Sequence, residues 1–186
     1  MRLFTAVLPP ADALAELGDA VGTLPPAEDG IRWTERCGWH ITLAFYGDVP
    51  EDTLPELSRR LARAAPRTEP FTLALGGGGH FGGRALWTGV SGDVGALRRV
   101  AERAEAAGRR SGLEMEDRRY RPHLTLARSR ETRDLGAYVS ALDGFVGTPW
   151  TATELTLVRS LLPRSGVPGE RPRYEKVAGW RFGDTR

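Results

Sequence analysis

Five residues, His40-Ile41-Thr42-Leu43-Ala44, return almost unchanged as His123-Leu124-Thr125-Leu126-Ala127. The chain has 186 residues and three histidines, and two of the three open this repeated frame. The copies begin close to half a chain length apart, which points to an ancient duplication. One domain is expected, residues 1–186, made of two similar lobes.

Along a strand, residues i and i+2 project to the same face. His40 and Thr42 then share one face, as do His123 and Thr125, while Ile41, Leu43, Leu124 and Leu126 take the opposite, core side. If two lobes pack about a pseudo-twofold axis, the His/Thr faces meet across a cleft holding two imidazoles and two hydroxyls. That set suits phosphodiester cleavage. Imidazole titrates near 6.5, so one ring can be neutral and accept a proton while the other is protonated and donates one. The hydroxyls can donate to non-bridging phosphate oxygens.

The rest of the pattern mixes strands and helices without a βαβ rhythm, so the fold class is α+β with mainly antiparallel sheets. Strands are expected at residues 2–8, 39–46, 70–75, 84–91, 119–127, 150–162 and 172–182. Helices are expected at 11–22, 53–64, 93–110 and 134–142, where apolar residues recur at helical spacing. Gly77-Gly78-Gly79-His80-Phe81-Gly82 fits G-x-G-x-x-G, but a dinucleotide site needs a helix next. Residues 84–90 read as a strand, so the glycines are taken as a hairpin loop with His80 exposed in it. Trp33, Trp87, Trp150 and Trp180 are assigned to the core, and the single cysteine, Cys37, to packing.

Net charge is +2, and 25 of the 26 basic residues are arginine, which reads as coding bias more than as a nucleic-acid signal. No apolar run approaches the roughly 20 residues that span a bilayer. The apolar start, Leu3 to Leu8, is too brief for a signal peptide, so a cytoplasmic location and no membrane partner are expected. Zinc would need three or four close ligands, and neither motif carries an accompanying Asp, Glu or Cys, so no metal or cofactor is expected.

The two H-x-T motifs resemble those of the two-histidine (2H) phosphoesterase superfamily. Trp39-His40-Ile41-Thr42-Leu43-Ala44-Phe45-Tyr46-Gly47-Asp48-Val49 is similar to the H-x-T-L-x-F-L-G-x-V stretch of RNA 2',3'-cyclic phosphodiesterases, also called 2'-5' RNA ligases. Arg121-Pro122-His123-Leu124-Thr125-Leu126-Ala127-Arg128 resembles their R-P-H-x-T-L-A-R. Arg2 to Val7, Arg84 to Val90, and Val158-Arg159-Ser160 through Tyr174-Glu175 fit as well, so the likeness runs along the whole chain. Tyr46 departs from the usual leucine, and Gly79-His80-Phe81-Gly82 is a loop variant.

The resemblance implies a bilobal fold, two pseudo-symmetric antiparallel sheets with outer helices and a central cleft. It implies hydrolysis of terminal 2',3'-cyclic phosphates to 2'-phosphates, with His123 activating water and His40 protonating the 3' oxygen. Some relatives run the reverse, 2'-5' joining reaction. Thr42, Thr125 and Arg128 are expected to hold the phosphate, Arg121 to assist if the strand stays regular through Pro122, and Phe4 to stack on a base. The expected partner is RNA or a nucleotide with a 2',3'-cyclic phosphate end, and the expected species a monomer. Two rivals stand beside this reading. One is a 2H phosphoesterase for a small cyclic phosphate such as an ADP-ribose derivative. The other is a non-catalytic nucleotide- or RNA-binding module on the same fold.

Overall fold

The computed structural model describes residues 1–163 and 171–183. In chain order the elements are β1 (Arg2–Val7), α1 (Ala11–Gly22), β2 (Ile31–Trp33), β3 (Ile41–Asp48), α2 (Leu54–Ala64), β4 (Phe71–Phe81) and β5 (Ala85–Gly92). They continue as α3 (Val94–Arg110), β6 (His123–Ser129), α4 (Gly136–Leu142), β7 (Trp150–Ala152), β8 (Glu154–Leu161) and β9 (Arg173–Arg181). Sequence reasoning missed β2, whose three residues are too few to show alternation. Among the described residues no helix is long and apolar enough to cross a membrane.

Every strand pairing is antiparallel, and the order is β7-β4-β5-β6-β3-β1-β8-β9, with β2 on β6. The two sheet halves meet edge to edge between β6 and β3, at one register pair, Ile41 opposite Leu124. Each half takes strands from distant parts of the chain: β1 and β3 lie with β8 and β9. Helix α3 packs on β3 and α2 on α3, while α1 and α4 cover β4. Ile41, Leu43, Leu124 and Leu126 are buried in the core beneath these helices. Tyr46, the departure from leucine, is buried and donates its hydroxyl to the Ala104 carbonyl at 2.9 Å, fastening β3 to α3.

Both motif strands carry a β-bulge at the same place. In β6, Trp87 faces Thr125 but Leu86 faces Ala127, so Leu126 is an extra residue in the ladder. In β3, Ala6 faces Thr42 but Thr5 faces Ala44, so Leu43 is extra. One inserted residue reverses the alternation beyond it. Leu126 and Ala127 are therefore both buried, as are Leu43 and Ala44. The repeated Leu-Ala of the motif is this bulge, and it returns Arg128 in one copy and Phe45 in the other to the His/Thr face.

The glycine segment is a strand rather than the expected loop. β4 runs through Gly76 to Gly79, with a register shift there against β5, and the turn falls at Gly82 and Gly83. Both have left-handed φ values, +56° and +66°, which glycine adopts without strain. His80 is exposed at the end of β4, where its Nδ1 accepts the Gly83 N–H at 3.0 Å. Cys37, expected to pack inside, is exposed on the 3-10 turn Arg36–Gly38. The strand glycines instead make room for large neighbours. A Cβ on Gly79 would lie 2.3 Å from the Trp87 ring, and one on Gly78 would lie 2.7 Å from Leu142.

Gly79→Ala should therefore push Trp87 off its seat and destabilise the fold by about 1–3 kcal/mol, the usual range for overpacking. Urea unfolding followed by tryptophan emission measures both effects. An unchanged midpoint and spectrum would mean that Trp87 is not held by this contact.

Candidate active site

The two histidines are built alike. His40 Nδ1 lies 2.7 Å from the Gly38 carbonyl, and His123 Nδ1 lies 2.6 Å from the Arg121 carbonyl, in each case two residues upstream. A carbonyl accepts and cannot donate, so each neutral ring carries its hydrogen on Nδ1 and keeps a free lone pair on Nε2. Each ring also has an aromatic wall. Phe4 lies 4.6 Å from His40 and Tyr174 packs edge-on at 5.1 Å. Phe81 meets His123 edge-on at 4.8 Å, with Trp87 behind at 6.2 Å.

Burial pushes both imidazoles below their ordinary pKa, His40 from 6.5 to about 4. The carbonyl bonds oppose this, and the Arg128 guanidinium adds to it at both rings; His123 adds its own charge at His40. Arg128 thus acts on both histidines, and it also pulls down the hydroxyl of Tyr174, which burial raises. Both shifts run toward the neutral form, so in the free protein they oppose the expected charged ring. An anion entering beside Arg128 would offset its charge and favour protonation of one ring.

Thr42 and Thr125 stand half-buried on the same face as their histidines. A bond from the Tyr120 hydroxyl to the Thr42 carbonyl, 2.9 Å long, ties the first motif to the segment leading into the second. Arg121 precedes β6, its side chain is exposed, and its visible contribution is the carbonyl that orients His123. Phe4 is 3% exposed and backs His40, which leaves it too little open surface to serve as the expected base platform. Phe81, Trp87 and Tyr174 were missed as wall residues. Trp87 was assigned wholly to the core, yet it is half-buried opposite Thr125. Among the described residues no three His, Cys, Asp or Glu side chains gather as a metal cluster.

Residues 8–163 match the family described as the 2'-5' RNA ligase superfamily. The chain is 34% identical over 172 residues to an RNA 2',3'-cyclic phosphodiesterase of Aeropyrum pernix, covering 85% of this chain and 96% of that protein. It is 29% identical over 180 residues to the protein of that name in Escherichia coli, covering 96% and 95%. In three dimensions it superposes on a phosphoesterase crystal structure with a TM-score of 0.81, at 30% identity over 97% of each chain. It superposes on E. coli LigT complexed with 3'-AMP with a TM-score of 0.79, at 28% identity over 97% of each chain.

The depressed imidazoles fix a pH dependence. A histidine held neutral in the fold takes up a proton on unfolding below pH 6.5, so stability falls as pH drops from 6.5 toward 4 and is unaffected by this group above 6.5. For His40 the loss reaches about 3 kcal/mol at most, at 1.36 kcal/mol per pKa unit. Denaturant titrations across this window should show a weaker pH dependence for His40→Ala than for the wild type. Parallel curves would mean that His40 is solvated in the fold.

Proposed function

The chain belongs to the 2'-5' RNA ligase superfamily, and from that membership and its cleft we propose that it hydrolyses 2',3'-cyclic phosphates at RNA ends, leaving a 2'-phosphate. The observation that carries this reading is the matched pair of imidazoles, each oriented through Nδ1 by a carbonyl two residues upstream and each, among the described residues, without a hydrogen-bond partner at Nε2.

In the proposed reaction His123 Nε2 takes a proton from water as its oxygen bonds to phosphorus. The bond from phosphorus to the 3' oxygen breaks on the far side, and protonated His40 gives that oxygen its proton. In-line displacement requires one group on each side of the phosphorus, and two facing motifs supply them. The Arg128 guanidinium and the Thr42 and Thr125 hydroxyls hold the non-bridging oxygens, where negative charge builds in the transition state. The bound phosphodiester offsets Arg128 and lets His40 hold its proton. Because burial keeps that proton weakly bound, His40 is then a strong acid.

The five-membered ring of the substrate is strained, so the step runs without a metal. A 5'-hydroxyl attacking in place of water would yield a 2'-5' linkage through the same proton transfers. The acting species is taken to be a monomer in the cytoplasm.

His40→Ala and His123→Ala should each lower turnover of a cyclic-phosphate-ended oligonucleotide by about 10²–10⁴-fold, with the fold intact and EDTA without effect on the wild type. Near-normal rates in either folded variant would remove the acid–base pair, and a 3'-phosphate product would reverse the bond that breaks. Arg128→Ala should reduce kcat/KM more than Arg121→Ala, since Arg128 acts on both imidazoles. Equal or inverted losses would move the phosphate contact to Arg121.

A further inference from the structure

Strand β2 lies along β6 beside Arg128. Ile31 faces Ser129, Arg32 faces Arg128, and Trp33 faces Ala127. Directly opposed residues of an antiparallel pair project from the same side of the sheet, so Arg32 stands next to Arg128 on the His123 and Thr125 face. Both arginines are exposed, and among the described residues neither forms a salt bridge. Like charges set directly opposite each other across two strands repel. A carboxylate on β2 would relieve that repulsion from inside the protein. With arginine there, an external anion is what would relieve it.

Arg128 is matched by one phosphate, the cyclic ester being opened. Arg32 is a second guanidinium one strand farther out. Past it the surface opens into a hollow of about 390 Å³ lined by Gly30, Arg32, Ser129, Arg130, Glu131 and Arg133. Arg133 is turned toward Glu131 at 3.8 Å, whereas Arg130 is exposed and, among the described residues, without an ion pair. Positive charge therefore continues from the cleft through Arg32 to Arg130. A cyclic mononucleotide has no second phosphate to place there, but an RNA strand has one at the linkage preceding its terminal nucleotide.

We propose that Arg32, with Arg130 beyond it, binds the phosphodiester that precedes the terminal nucleotide, forming the subsite that favours an RNA strand over a cyclic mononucleotide. The inference rests on the RNA-end activity proposed for the cleft. Arg32 is a specificity residue in this scheme. Arg128 handles the reacting phosphate, and Arg32 makes a contact that is present in a strand and absent in a mononucleotide.

The test uses Arg32→Ala in the full chain, with two readouts. The first is kcat/KM on a 2',3'-cyclic mononucleotide and on a short oligonucleotide with the same end, across a salt series. Arg32→Ala should lower the oligonucleotide value about tenfold, leave the mononucleotide value within about twofold, and flatten the oligonucleotide's salt dependence by about one phosphate contact. Equal losses on both substrates would place Arg32 at the reacting phosphate, and no loss on the oligonucleotide would remove the subsite; either overturns the proposal.

The second readout is fluorescence anisotropy with a labelled oligonucleotide ending in a 2'-phosphate, which needs no turnover. If the wild type turns over neither substrate, the proposed function fails. The anisotropy still decides the subsite, through weakened or undiminished binding by Arg32→Ala. Because the substitution removes a repulsion, its melting temperature should equal or exceed that of the wild type.

Discussion

Ile41 and Leu124 face each other where the two halves of the sheet meet, and each directly follows one of the paired histidines. Both side chains are fully buried, which for residues of this size contributes about 1.5–3 kcal/mol each. The seam is narrow in hydrogen bonds and firm in apolar contact. The Tyr120 hydroxyl adds a second strap across it by holding the Thr42 carbonyl. Since i and i+1 project to opposite faces, driving Ile41 and Leu124 into the core turns His40 and His123 out toward the same cleft. The relative position of the imidazoles is therefore set by core packing one residue away.

That coupling extends to protonation. The aromatic walls that fix the rings also exclude water from them: Phe4 and Tyr174 at His40, Phe81 and Trp87 at His123. Exclusion of water costs stability at acid pH and, with Arg128, favours the neutral form of both rings. The glycines of β4 belong to the same construction. Without a Cβ at Gly79, Trp87 can pack against the strand, with its ring 6.2 Å from that of His123.

Much of this was legible in the sequence because the motif appears twice. The pairing of His with Thr, the burial of Ile41, Leu43, Leu124 and Leu126, and the main helices all follow from periods of 2 and 3.6. What escaped was whatever breaks a period. Strict alternation puts Arg128 on the opposite face from His123, and only the bulge at Leu126-Ala127 brings it back. Consecutive glycines carry no side-chain pattern, so the second half of β4, from Gly76 on, reads as a loop in the sequence. Tyr174 lies far along the chain, and its place against His40 depends on β9 pairing with β8, a long-range contact that no local signal encodes. The likeness to known phosphodiesterases supplied Arg128, where alternation pointed to Arg121.

The duplicated cleft is symmetric in its imidazoles and asymmetric in the residues just downstream of them. The bulge delivers one residue to the open face in each copy, Phe45 after the first motif and Arg128 after the second. Phe45 is 42% exposed with the Arg2 guanidinium 4.6 Å above its ring, so that cation is engaged by an aromatic face. Among the described residues Arg128 has no such partner, and it faces a second arginine across the ladder. Two equivalent anion sites would let a cyclic phosphate sit either way round and lose regiochemistry. In the proposed reaction, an anion pole on the β6 side would orient the ester with its charged oxygens toward Arg128. The remainder of an RNA strand would then run along Arg32, as proposed, and the two otherwise equivalent histidines would take different tasks. On that proposal, a phenylalanine in one copy and an arginine in the other would turn a cleft with two like imidazoles into a directional one.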